Sequence, residues 1–160
     1  METYTIHHEV GIKASPKAVY LALTDSKRLA EWWTSDTRGS GAKVGDVLEF
    51  RFGDFCQKFE VVELQTDKLV RWKANRMETM EEWAGTEIAF SLSADKDQCW
   101  VNFTHSGWRS DGGSFPHCST KWAVFMLSLK DLLEKGKGQP APNDVEIYHA
   151  SEPAEGLQSA

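Results

Sequence analysis

From residue 116 to residue 135, Trp122, Phe125, Met126, Leu129, Leu132 and Leu133 fall three or four positions apart, which makes one side of a long helix apolar. At ~1.5 Å per residue, 20 residues of helix span ~30 Å. Gly136 stops the helix, and Lys130 and Lys135 sit near the end where the helix dipole favours cations. A stripe of that length must be covered, and the chain before it offers mainly short strands.

Tyr4, Ile6, His8, Val10 and Ile12 alternate with Thr5, His7, Glu9 and Gly11, which predicts a first strand. Ser15-Pro16 then signals a helix start, with a Ser hydroxyl to cap and a Pro preset for the first turn. The short helix carries Val19, Tyr20, Ala22 and Leu23. Thr24-Asp25-Ser26 interrupts it, and a second short helix runs to Trp32-Trp33. The stretch 39–45, with glycine at both ends, reads as loop. Further strands are predicted at 47–52, 57–64, 69–74, 86–92 and 99–105, divided by Gly53-Asp54, Thr66-Asp67-Lys68 and Ala94-Asp95-Lys96-Asp97. Connections this short make neighbouring strands mostly antiparallel. The expected fold is α+β: a curved antiparallel sheet of about six strands wrapped around the long C-terminal helix, two short helices after the first strand closing one end. One helix rarely fills such a groove, so a cavity between sheet and helix is expected. The expected organisation is one domain over 1–136 and a flexible acidic tail over 137–160.

Several function classes fall away on composition. The formal charge is −6 with no run of Lys or Arg, so the basic footprint of a nucleic-acid binder is missing. No apolar run approaches the ~20 residues of a membrane span, and the opening Met-Glu-Thr-Tyr-Thr does not resemble a signal peptide. Cys56, Cys99 and Cys118 are odd in number and form no CxxC, as expected of free thiols in a reducing, cytoplasmic setting. Seven Trp and eight Phe exceed what a domain of 160 residues needs. Rings of that size fill wide spaces, in a core or around a ligand.

The run from Ala14-Ser15-Pro16-Lys17-Ala18-Val19-Tyr20 to Thr24-Asp25 resembles the opening of the SRPBCC superfamily, the START-like helix-grip proteins that include the birch pollen allergen and polyketide cyclases. Trp32-Trp33, Thr104-His105-Ser106-Gly107-Trp108 and the helix from Trp122 to Gly136 are similar to one branch, the homologues of the activator of the heat-shock protein 90 ATPase. The resemblance covers roughly residues 4–136. It implies the helix-grip fold, a hydrophobic pocket between sheet and C-terminal helix, and, through the branch name, a chaperone as partner.

Candidate residues carry two readings each. His105, His117, Cys118 and Asp111 include metal-ligand types, but their spacing fits no familiar zinc pattern, and a structural His with a buried thiol is the plainer reading. A Cys–His nucleophile pair from Cys118 lacks any oxyanion-hole signature. His8 and His105 share faces with apolar neighbours and suit either acid–base work or a hydrogen-bonded core. Trp33, Trp72 and Trp122 are cavity lining or core alike; Trp83 and Trp108 sit in loop-like surroundings and cap an end or meet a partner. Glu78, Glu81 and Glu82 read as a solvated turn. The expected function is binding of a small, largely apolar or aromatic molecule by Trp33, Trp72, Phe90, Phe103, His105, Trp122, Phe125 and Met126, with no catalytic residue, cofactor or metal. The alternatives are a chaperone-associated interaction module and a cyclase- or hydratase-type pocket enzyme.

Overall fold

The computed structural model describes residues 2–76 and 79–149; Glu78 and residues 150–160 of the expected tail lie outside them. Strand β1 (Tyr4–Ile12) leads into α1 (Pro16–Thr24) and α2 (Ser26–Trp32), followed by β2 (Asp36–Gly39), β3 (Val47–Phe52), β4 (Phe55–Gln65), β5 (Leu69–Ala74), β6 (Glu87–Asp95), β7 (Gln98–Trp108) and α3 (Phe115–Lys135). The strands form one seven-stranded sheet in the order β1-β7-β6-β5-β4-β3-β2, every pairing antiparallel. The α+β helix-grip architecture follows the hydrophobic pattern. The addition is β2, four residues whose sequence Asp-Thr-Arg-Gly carries no apolar alternation.

The local signals act as expected. Ser15 Oγ accepts from Ala18 N–H (3.1 Å) and opens α1. Asp25 ends α1 through its N–H to Leu21 O (2.9 Å), and its carboxylate starts α2 by accepting from Lys27 N–H (3.0 Å). One residue thus makes the break between the two helices. Gly136 closes α3 in the left-handed conformation (φ 84°), which a side chain would disfavour.

The inner face of the sheet and the stripe of α3 bury one core that also takes in Leu29 and Trp32 of α2. Beyond α3 the described residues stay against the domain. Residues 137–149 run back along the helix: Gln139 N–H donates to Ser128 Oγ (2.7 Å), Ala141 N–H to Trp33 O (2.8 Å), and Ser35 N–H to Ala141 O (3.0 Å). Thr34 and Ala141 form an isolated parallel bridge. These contacts form because Trp33 leaves backbone groups beyond α2 that the sheet does not use. No regular pairing forms around Val145, Glu146, Ile147 and Tyr148.

Candidate functional site

The sheet and α3 meet in a cluster of rings centred on Trp33. Its N–H closes the last turn of α2 onto Leu29 O (3.0 Å), and the chain leaving the helix there sends the indole over the sheet. The ring lies 4.1 Å from Phe50, 4.8 Å from Trp122 and 6.1 Å from Trp72, centroid to centroid. Phe103 meets Trp122 at 4.4 Å, and Phe90 meets Trp72 at 5.3 Å. Trp33, Trp72, Phe90, Phe103, His105, Trp122, Phe125 and Met126 all belong to this interior, none more than 2% exposed. The residues expected to line a cavity are therefore brought together, packed against one another. Among the described residues, Trp72 Nε1–H and the Gln57 side-chain N–H are buried without an acceptor.

His105 stands at one end of the cluster, with Trp83 at 4.6 Å and Trp108 at 4.9 Å. Trp83 and Trp108 are thereby interior residues. An indole N–H can only donate, so the Trp122 Nε1–H bond to His105 Nδ1 (3.1 Å) makes that nitrogen an acceptor. His105 Nε2 then carries the proton toward Thr86 Oγ1 (2.8 Å), whose hydroxyl donates to Trp83 O (2.6 Å). Burial lowers the His105 pKa to about 3. The ring is neutral near pH 7, with both nitrogens engaged. His8 differs: its Nε2 lies 2.9 Å from Ser119 O, on a half-buried strand face.

A cleft of about 390 Å³ opens where the β3–β4 hairpin approaches α3, lined by Thr34–Asp36, Arg51–Phe55, Lys121, Ala141, Pro142 and Asp144. Thr34 Oγ1–H donates to Arg51 O (2.6 Å) and ties the end of α2 to the hairpin. Phe52 lines the cleft and lies 5.6 Å from Trp33 and 6.4 Å from Phe125, so the ring cluster stands directly behind it. Lys121 rises from α3 one turn before Phe125, its ammonium 5.0 Å from that ring's centroid. It pairs with Asp144 from the returning segment, and both side chains are almost wholly buried.

At the start of α3, Ser114 Oγ–H donates to Glu82 Oε1 (2.7 Å), and Ser114 Oγ lies 3.1 Å from His149 Nε2. Glu82 thus holds a helix start, while the His117 and His149 rings lie 4.8 Å apart. Cys118 follows in the first turn, its thiol pushed up to about 12 by burial. Among the described residues no three His, Cys, Asp or Glu side chains gather in a way that would hold a metal ion, and no helix is long and apolar enough to cross a membrane.

Residues 13–134 match the family model described as activator of Hsp90 ATPase homolog 1-like protein. The chain belongs to this family. The Aha1 dimer from Colwellia psychrerythraea is 46% identical, covering 84% of this chain and 99% of that one, with a TM-score of 0.78. Proteins of Mesorhizobium loti (20% identity, TM-score 0.73, covering 82% of this chain and 98% of that one) and Staphylococcus saprophyticus (15%, 0.70, 84% and 95%) share the fold. No curated protein matches. The ring cluster and most of the cleft lie on elements inside the matched region, whereas Ala141, Pro142 and Asp144 follow it.

Sequence reasoning placed the interior rings but passed over Lys121 and Asp144. One signal was available: Lys121 lies four residues before Phe125 on the inward stripe, where a lysine is out of place. No spacing rule points to Asp144, because the returning backbone alone brings it there.

Proposed function

We propose that this protein binds a small, largely apolar molecule between the sheet and α3, seated in the cleft beside the β3–β4 hairpin. The observation that carries this reading is a cleft of about 390 Å³, a volume typical of small-molecule sites, whose wall residue Phe52 backs onto Trp33. Phe52 and Phe55 supply apolar surface, and Trp33, Trp122 and Phe125 are the rings a ligand meets on going deeper. Trp72, Phe90, Phe103, His105 and Met126 form the wall behind them. The unspent Trp72 indole N–H supports a ligand that also carries an acceptor atom. Calorimetric titration with a panel of aromatic and fatty probes tests the reading. Saturable 1:1 binding, weakened about tenfold by Phe52→Ala through lost apolar contact, is expected. Absence of saturable binding throughout the panel, or indifference to Phe52→Ala, refutes it.

A second reading rests on the family description, which names activation of the Hsp90 ATPase, and on a relative at 46% identity described as a dimer. Here the domain is a chaperone-associated module. Stimulation of the ATPase of an Hsp90-type chaperone by stoichiometric protein supports this; an unchanged rate with demonstrably folded protein refutes it.

A further inference from the structure

We infer that the ligand of the cleft is an apolar molecule bearing one carboxylate, and that Asp144 occupies the carboxylate's place on Lys121. The inference rests on the cleft reading above and adds the ligand's chemical class.

Lys121 belongs to α3 and is fixed by it, with only 3% of its side chain exposed. A buried ammonium needs an anion, because desolvation without a partner is costly. Neither the sheet nor α3 provides the carboxylate paired with it. Asp144 does, from a returning segment whose backbone anchors near the cleft are the bonds of Gln139 and Ala141. The second observation concerns the carboxylate itself. Asp144 Oδ2 meets Lys121, while Oδ1 is buried with no donor among the described residues. Buried carboxylates ordinarily satisfy both oxygens, so Asp144 is an incompletely satisfied occupant of a strong cation site.

Both partners line the cleft, as do Phe52 and Phe55. A ligand lying over those rings places its acid group at Lys121 once Asp144 withdraws. The other charged lining residues are Arg51, already paired with Glu49, and Asp36 and Asp54. With Asp144 out, the two cations and two anions of the lining balance, and a single added carboxylate leaves little excess charge. A phosphate dianion would face Asp36 and Asp54 with one more charge to offset. A monocarboxylate is the matched class.

The test compares 2-naphthylacetic acid with 2-(2-naphthyl)ethanol, similar in shape and differing in charge, on the full chain. The acid is expected to bind wild type about tenfold more tightly than the alcohol. Bound acid should also release the Ala141 amide, held on Trp33 O, to hydrogen exchange, while the alcohol leaves it protected. Asp144→Asn removes the competing charge, so acid affinity should rise about tenfold and alcohol affinity should hold. Lys121→Met should erase the preference for acid. Equal affinities of acid and alcohol for wild type and Asp144→Asn, or an Ala141 amide still protected with acid bound, overturn the inference and leave the cleft reading standing. If neither compound binds either protein, the cleft reading falls with it. Should Asp144→Asn fail to fold, the wild-type affinities and Ala141 exchange decide the matter.

Discussion

Trp33 joins everything else in the interior. It terminates a helix, stacks on Trp72 and touches both the β3 ring Phe50 and the α3 ring Trp122. Removing such a ring leaves a cavity that packed neighbours cannot close, so Trp33→Ala should lower stability by about 3–5 kcal/mol in urea denaturation. His105 makes a different prediction, through pH. Its folded pKa of about 3 lies below the ordinary value of 6.5, so the unfolded chain takes up the proton first as pH falls. The stability this group contributes is fully present above pH 6.5 and is lost as pH falls toward 3, by up to about 1.4 kcal/mol per pH unit. His105→Gln, whose amide can keep the bonds to Trp122 and Thr86, should show a shallower loss in urea melts between pH 6.5 and 5. A parallel dependence in the two proteins would contradict the assignment. At this scale the sequence showed that the rings and His105 face inward. It could not show that they pack on each other, because alternation reports a side chain's face and says nothing of what stands opposite.

The long helix and the six strands that alternate were legible because each has a clean period. The sheet's seventh strand, β2, was not, since Asp36-Thr37-Arg38-Gly39 gains its place only by pairing with β3. The same applies to residues 137–149, where Pro140, Pro142 and the acidic residues suggest a free tail. Their docking depends on tertiary detail. A Cβ on Gly138 would come within 2.5 Å of Glu31 O, so only glycine passes between α2 and α3 there. Ser128 Oγ joins three elements, donating to Trp32 O (2.8 Å) and accepting from Gln139 N–H (2.7 Å). Ser128→Ala strands both partners and should cost about 1–3 kcal/mol. Faster hydrogen exchange at Gln139 and Ala141, ahead of any change in the sheet, is the expected signature. Unaltered exchange there would show that the segment is held by other contacts.

Among the described residues, a sheet closes over a long helix, the aromatic excess fills the space between them, and a cleft opens where hairpin, helix and returning chain meet. Family membership agrees with this architecture. Indole and amide NMR shifts during titration with 2-naphthol test the binding account most directly, because the seven Trp side chains report from different places. Saturable shifts at residues 34–36, 53–55 and 141–144 and at the Trp33 indole, with the outer faces of α1 and α3 unmoved, are predicted. No saturable shift, or shifts gathered away from the cleft, would contradict it.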